Sequence, residues 1–209
     1  MRAESFLAPA GVGAAEIAEK RSRFIARVVP VDSEDEAKAE IDRVKAERRD
    51  ASHNCWCYII RGGPERYSDD GEPQGTAGLP MLEVFRRGGI CGVCCVVTRY
   101  FGGVLLGTGG LSRAYSEAAR RALEAAGTAE FRLRERAEIH CPYDALARVK
   151  SVVESFGGVM ENAEFGERVE LRVLLPAGCA DELNKRLADA SAGAVRAAVT
   201  GEAWVAGSA

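Results

Sequence analysis

The stretch ICGVCCVVTRYFGGVLLGTGGLSRAYSEAARRALEAAG, residues 90–127, decides the fold of the larger part of this 209-residue chain. Its opening, ICGVCCVVTRYF, is a nearly continuous apolar run, which is typical of a strand buried on both faces. A glycine-rich turn follows, and the residues from Leu111 have helical periodicity up to a glycine stop at Gly127. The stretch therefore predicts a buried strand, a glycine turn and a helix in direct succession.

The residues before this stretch predict further strands and two helices. Alternation and apolar runs between residues 14 and 31 favour strands, and a helix capped by Asp32 or Ser33 follows them. The segment HNCWCYIIRGG, residues 53–63, predicts a strand that ends in a glycine turn. A polar loop with three glycines then covers residues 64–79, and a short helix begins at Pro80.

The residues after Gly127 repeat a cleaner pattern of strand, helix, hairpin, helix and strand. This βαββαβ order is typical of the ferredoxin-like arrangement. We place the domain boundary near residues 128–134, where a helix has ended and a stretch rich in arginine and glutamate begins. We therefore expect an α+β protein with two domains, residues 1–130 and 131–209.

Composition and charge exclude several classes of protein. With 47% hydrophobic and 28% charged residues, the chain has the composition of a folded globular protein. It contains neither an apolar stretch of roughly 18 residues nor a secretory signal pattern, so we expect a cytoplasmic location and no membrane partner. The net charge of −3 provides no general attraction to nucleic acid, so RNA binding would require a local basic patch.

The glycine turn is the first candidate binding site. Exposed backbone N–H groups at a helix start attract anions such as phosphate, and glycines allow close approach. The alternative is that these glycines serve only a tight turn and helix–strand packing. Neither a P-loop nor a dinucleotide fingerprint is present. The candidate anion-binding or partner-binding positions are Arg99, Tyr100, Gly102, Gly103, Gly107, Gly109, Gly110 and Arg113.

The acidic turn SDDGEPQGTAG, residues 68–78, is the second candidate site. Asp69, Asp70 and Glu72 could together hold a divalent cation through carboxylate oxygens. The spacing fits no EF-hand loop, and acidic residues in such turns usually cap backbone groups, so we favour the structural interpretation. These three residues therefore join the candidate binding surface without a metal assignment.

The seven cysteines are interpreted as free thiols in the core. Zinc binding by His53, Cys55 and Cys57 is disfavoured because paired CxxC elements are missing. A Cys/His hydrolase, with His53 as the base, is disfavoured as well. We therefore predict no catalytic residue, no metal site and no cofactor.

The string YSDDGEPQGTAGLPMLEV, followed by VVTRYFGGVLLGTGGLSRAYSEAA, closely resembles the signature of the IMPACT family. The whole chain resembles the bacterial YigZ-type branch of that family. The resemblance implies that the first domain has the fold of ribosomal protein S5 domain 2. It implies that the second is ferredoxin-like and similar to domain V of translation factor G.

The same resemblance implies a link to translation. Eukaryotic relatives bind a ribosome-associated activator and thereby restrain a kinase that acts on an initiation factor. They usually carry a different, N-terminal partner domain, which we do not expect in this protein. The resemblance carries over no catalytic residue. It leaves Asp69, Asp70, Glu72, Arg99, Tyr100 and Arg113 as motif positions of unassigned role.

Three functional hypotheses follow from these observations. The first is a non-enzymatic regulatory protein that binds RNA, the ribosome or a translation-associated protein through the glycine turn. The second is a small-molecule phosphotransferase or other nucleotide-binding enzyme that uses the glycine turn and the DDGE loop. The third is a protein–protein adaptor whose sensitive patch is the acidic turn. The sequence does not indicate an oligomeric state.

Overall fold

The computed structural model describes residues 5–207 and divides them into two compact units, Phe6–Glu130 and the residues from Phe131 onward, with Ser5 grouped with the second unit. The elements of the N-terminal unit are β1 (Ser5–Pro9), β2 (Gly13–Glu19), β3 (Ser22–Pro30), α1 (Glu34–Glu47), β4 (His53–Ile59), β5 (Glu65–Ser68), α2 (Gly78–Arg87), β6 (Val93–Tyr100) and α3 (Thr108–Ala126). The remaining elements are β7 (Thr128–Cys141), α4 (Leu146–Ser155), β8 (Val159–Phe165), β9 (Val169–Pro176), α5 (Ala180–Ser191) and β10 (Ala197–Ala206).

The N-terminal unit is built on a sheet with the strand order β2, β3, β6, β4, β5, in which every neighbouring pair is antiparallel. Strand β6 lies at its centre. Cys95 and Val97 face the core formed with α2 and α3, whereas Cys94 and Val96 face α1 on the other side. The prediction of a strand buried on both faces is confirmed.

Local sequence signals set several helix ends. The Ser33 hydroxyl accepts a hydrogen bond from the N–H of Glu36 and caps α1, as its position before an acidic first turn predicts. Helix α3 ends at Gly127, whose φ of 68° lies in the left-handed region that glycine adopts easily.

Three predicted boundaries are wrong. The polar loop expected over residues 64–79 contains a short strand, β5, which pairs with the edge of β4 that faces away from β6. Helix α2 begins at Gly78, within that loop, and not at Pro80. Helix α3 begins at Thr108, not at Leu111, so that Gly109 and Gly110 lie in its first turn. Glycine has a low helix propensity, which is why the prediction started the helix later. The packing of the later turns stabilises α3 enough to include the two glycines, and the N–H groups of a first turn make no intrahelical hydrogen bond in any case.

The C-terminal unit has the predicted order of elements, and its strands pair antiparallel in the order β10, β7, β9, β8. Its core joins strand residues such as Ile139 and Leu171 to Leu183 and Leu187 of α5. Mixed α/β architecture with antiparallel sheets is therefore confirmed. Within residues 5–207, no helix is long and apolar enough to cross a membrane.

Candidate functional site

Asp69 organises the acidic turn from inside. Its Oδ1 accepts hydrogen bonds from the N–H groups of Ala77 (3.0 Å) and Gly78 (2.8 Å), and its Oδ2 accepts from Gly75 (2.8 Å). Ala77 is the N-cap of α2 and offers no side-chain cap, so the distant carboxylate caps this helix instead. Asp69 therefore holds the loop in place, as the structural interpretation of the turn predicts.

Asp70 is also turned into the protein. Its Oδ2 accepts from the N–H of Asn54 at 2.7 Å, and its Oδ1 accepts from the Lys45 ammonium at 2.9 Å. Burial alone would raise the pKa of Asp70, but these two donors outweigh it, so the pKa lies below its usual value. Both aspartates are thus occupied by internal hydrogen bonds, and residues 5–207 contain no group of side chains arranged to hold a metal ion.

Glu72 and Arg99 form a buried ion pair. The Glu72 Oε1 accepts from Arg99 Nη1 at 2.6 Å and from the Tyr115 hydroxyl at 2.8 Å. Arg99 Nη2 also donates to the Ser22 hydroxyl at 3.3 Å. The sequence suggests Arg99 as an anion-binding position, but only 5% of it is exposed and Glu72 balances its charge. The reason is that Arg99 lies in the central strand, where a charge needs a partner.

The Arg99 guanidinium lies between two aromatic rings. Its Cζ is 5.5 Å from the centre of the Phe24 ring and 5.4 Å from that of Phe101, which are distances typical of cation–π contacts. The Nε–H of Arg99 is buried and has no hydrogen-bond acceptor among the described residues. An unpaired buried donor costs free energy, so this site is one where an added acceptor would be stabilising.

His53 was singled out by the sequence for zinc or catalysis, and the structure places it beside the ion pair. Its Nδ1 lies 2.8 Å from the backbone oxygen of Asp70. Because a carbonyl oxygen only accepts, Nδ1 donates this hydrogen bond, and Nε2 lies 3.9 Å from Glu72 Oε1. The ring is therefore fixed in orientation by the same turn that holds Glu72.

The glycine turn serves packing at one end. A Cβ on Gly102 would lie 2.1 Å from the carbonyl carbon and oxygen of Arg21, so only glycine fits there. The N–H of Gly102 donates to the Ser22 hydroxyl at 3.2 Å, and the N–H of Phe101 donates to that of Ser52 at 3.1 Å. The packing interpretation of the glycines is correct for Gly102.

The other end of the turn is open. Gly107, with a φ of 73°, is the N-cap of α3 and supplies no side-chain cap. The first intrahelical bond joins Leu111 N–H to the Gly107 oxygen, so the N–H groups of the three preceding residues lie ahead of it. Arg113 is exposed, and its Nη1 is 3.5 Å from the position a Cβ on Gly109 would occupy. This helix start therefore combines free donors, the helix dipole and a cation.

One cleft of about 490 Å³ brings the two candidate segments together. Glu72 and Arg99 line it, as does the start of α3. Loop residues Phe101 and Leu105, which are 48% and 83% exposed, line it as well. The complete lining is Ser52, His53, Gly71, Glu72, Pro73, Arg99, Phe101, Leu105, Leu106, Gly107, Thr108 and Leu111.

Several predicted positions lie outside this lining. These positions are Asp69, Asp70, Gly102, Gly103, Gly109, Gly110 and Arg113. The Tyr100 hydroxyl donates to Asp50 at 3.1 Å, and its ring lies 5.8 Å from the Arg23 guanidinium. Sequence reasoning missed Ser52, Phe101 and Leu105. Phe101 and Leu105 could have been noticed as apolar residues within a turn rich in glycine.

The cysteines near the cleft are chemically quiet. Burial raises the pKa of the Cys55 thiol to about 12, and this thiol donates to the backbone oxygen of Asp69. Cys57 and Cys94 are likewise buried, and burial raises the pKa of each. These buried side chains belong to the core. Their raised pKa makes them poor nucleophiles, because a thiolate nucleophile requires a lowered pKa.

Comparison with known proteins gives two family matches. The Impact N-terminal domain matches residues 20–123, and a domain of unknown function (DUF1949) matches residues 139–194. The chain is 37% identical to IMPACT family member YigZ of Escherichia coli (strain K12) over 92% of this chain and 97% of that protein. It is also 37% identical to IMPACT family member YvyE of Bacillus subtilis (strain 168), over 76% of this chain and 74% of that one.

A solved structure described as the crystal structure of a hypothetical protein is also similar. It has a TM-score of 0.63 and 36% sequence identity, and the match covers 94% of this chain and 98% of that chain. Its resemblance thus extends over both units of the chain.

Proposed function

The chain belongs to the IMPACT family, and from that premise we propose that it is a non-enzymatic binding protein associated with translation, whose cleft binds RNA through a phosphate group. The family resemblance implies the link to translation. The geometry of the cleft supports the phosphate contact. The proposal places the protein in the cytoplasm, where ribosomes work.

One observation carries the phosphate contact. The uncapped start of α3 and the unpaired Nε–H of Arg99 belong to residues that line the same cleft. Three backbone donors and the positive end of a 19-residue helix favour an anion there, and glycines allow it to approach the backbone. Arg113 adds an exposed positive charge beside Gly109.

The unit folds are proposed on the same basis. We propose that the N-terminal unit is related to ribosomal protein S5 domain 2. We propose that the C-terminal unit is ferredoxin-like and related to domain V of translation factor G. The βαββαβ order and the strand order β10, β7, β9, β8 support the ferredoxin-like assignment. Fold analogy by itself does not carry function, so the cleft remains the main support.

The phosphotransferase hypothesis has less support. It requires carboxylates in the DDGE loop to hold magnesium, but Asp69 accepts three backbone hydrogen bonds and Asp70 binds Asn54 and Lys45. A thermal-shift measurement with ATP and magnesium tests this hypothesis directly, because a ligand that binds the native state raises the melting temperature.

The experiment that tests the leading proposal is co-sedimentation of the protein with ribosomes at low and moderate salt. The decisive variant is Gly109→Asp, because a carboxylate in the first turn of α3 favours the helix but repels a phosphate. A Cβ at Gly109 meets only the Arg113 side chain at 3.5 Å, so the variant can fold. Gly109→Asn is the matched neutral control.

We expect ribosome binding to weaken as salt rises and to be lost in Gly109→Asp but largely retained in Gly109→Asn. Arg113→Ala should weaken binding, whereas Arg120→Ala, which removes a charge two turns further along α3, should not. Equal binding by the aspartate and asparagine variants, or no ribosome binding at low salt, would overturn the proposal.

A further inference from the structure

We propose that the cleft seats one unpaired RNA nucleotide, with its phosphate at the start of α3 and its base against Phe101 and Leu105. This inference rests on the proposed function and specifies the form of RNA that the cleft accepts. It predicts recognition of single-stranded RNA and rejection of duplex.

The size and lining of the cleft favour a single nucleotide. Its volume of about 490 Å³ lies within the range of small-ligand sites, roughly 300–1000 Å³. A duplex is contacted mainly across its shallow minor groove and its phosphates, and its bases remain stacked inside. Only an unpaired nucleotide can place a base in a recess of this size.

The lining of the cleft combines two kinds of chemistry. Gly107 and Thr108 present the helix start, whereas Phe101, Leu105 and Leu106 supply an apolar wall. A nucleotide has the matching division, with an anionic phosphate at one end and a flat, weakly polar base at the other. Free phosphate or a short acidic peptide would leave the apolar wall unused.

Phe101 is prepared to stack. The ring is 48% exposed, yet its position is fixed because the Arg99 guanidinium contacts it at 5.4 Å and its backbone N–H donates to Ser52. Stacking of bases on such aromatic side chains is the usual way in which proteins bind unpaired nucleic acid without strong sequence preference. Arg99 thus supports the stacking ring as well as lining the cleft.

The ion pair of Glu72 and Arg99, which lines the cleft, offers polar contacts without net charge. Glu72 and Arg99 neutralise each other, and within residues 5–207 the side-chain hydrogen bonds to the Glu72 carboxylate, from Arg99 and Tyr115, both end on Oε1. The Oε2 atom is thereby left to accept from an N–H group of a base.

The test measures binding of a fluorescently labelled single-stranded RNA hexamer, its duplex form as comparison, and competition by AMP, ribose 5-phosphate and inorganic phosphate. We expect the hexamer to bind more tightly than the duplex, and AMP to compete better than ribose 5-phosphate. Phe101→Leu, which keeps an apolar side chain but removes the ring, should weaken hexamer binding by about fivefold or more.

Two further variants distinguish loss of RNA binding from loss of folding. Leu105→Ala changes a residue that is 83% exposed, so it should leave the fold intact while weakening the hexamer. Val104→Ala lies in the same loop but outside the cleft lining, and should bind like the wild type.

Duplex binding as tight as hexamer binding, or equal competition by AMP and ribose 5-phosphate, would overturn the nucleotide seat. Ribosome binding that remains sensitive to Gly109→Asp would in that case leave the proposed function standing. If neither the hexamer nor the ribosome binds, both proposals fail. Competition by AMP combined with loss of ribosome binding in Gly109→Asp supports both.

Discussion

Arg99 Nη1 lies 2.6 Å from Glu72 Oε1, with 6% and 3% of the two side chains exposed. This contact joins the end of the central strand to the acidic turn, so the two motif segments of the sequence form one structure. Burying these two charges costs desolvation free energy, and only their mutual attraction offsets that cost, so each charge needs the other. The Tyr115 hydroxyl, which donates to the same oxygen, ties the pair to α3.

Removing one charge of this pair should destabilise the protein more than removing both. Glu72→Gln leaves the Arg99 charge buried without compensation, and we expect the free energy of unfolding to fall by about 3 kcal/mol or more. Arg99→Met should cost a similar amount. In the double variant neither charge is buried, so its loss should be smaller than that of either single variant. Urea unfolding of the wild type, the two single variants and the double variant measures the coupling energy between the two side chains. Losses that simply add would show that the two charges are not coupled.

Asp69 should prove essential for stability because it accepts three backbone hydrogen bonds. In Asp69→Asn, one accepting oxygen becomes an NH₂ group that faces a backbone donor, so the turn loses at least one bond and gains a clash of donors. We expect a loss of about 2 kcal/mol in the free energy of unfolding. Asp42→Asn, at an exposed position of α1, is the matched control and should change stability little. Equal melting curves for the two variants would contradict the capping role.

Much of the fold could be predicted because it depends on local patterns. The apolar run of β6 predicted burial on both faces, and the segment HNCWCYIIRGG predicted strand β4. The sequence offered Asp32 or Ser33 as the cap of α1, and Ser33 is the cap. Such signals are read from neighbouring residues and need no knowledge of distant contacts.

The interior of the site could not be predicted because it depends on distant contacts. Arg99 and Glu72 are 27 positions apart, and the sequence gives no sign that one neutralises the other. For Asp69 the sequence predicts a capping role, but not that its carboxylate caps α2 from outside the helix. The glycine-rich surroundings of Arg99 suggest an exposed binding cation, whereas the structure buries it beside Glu72.

The contribution of Asp70 to stability should depend on pH. Its pKa is lowered in the folded state, so its stabilising effect is fully present above the unfolded value of about 3.9 and is lost as pH falls through the lower folded value. Asp70→Asn should therefore be less stable than the wild type at pH 7, and the difference should shrink below about pH 4. Thermal unfolding at several pH values measures this difference. A gap that stays constant down to pH 3 would argue against a role for the charge.

Gly102 and Gly109 belong to the same motif but should respond in opposite ways to alanine. A methyl group at Gly102 would meet backbone atoms of Arg21 at 2.1 Å, and because backbone atoms cannot swing aside, β3 or the turn must move. We expect Gly102→Ala to lower the free energy of unfolding by about 3 kcal/mol or more. At Gly109 the nearest atom is the flexible end of Arg113 and φ is not positive, so Gly109→Ala should be as stable as the wild type or slightly more stable. Chemical unfolding of the two variants side by side measures the contrast. Similar losses at both positions would mean that the start of α3 is as tightly packed as the end of β6, and the open helix start needed for an anion would then be missing.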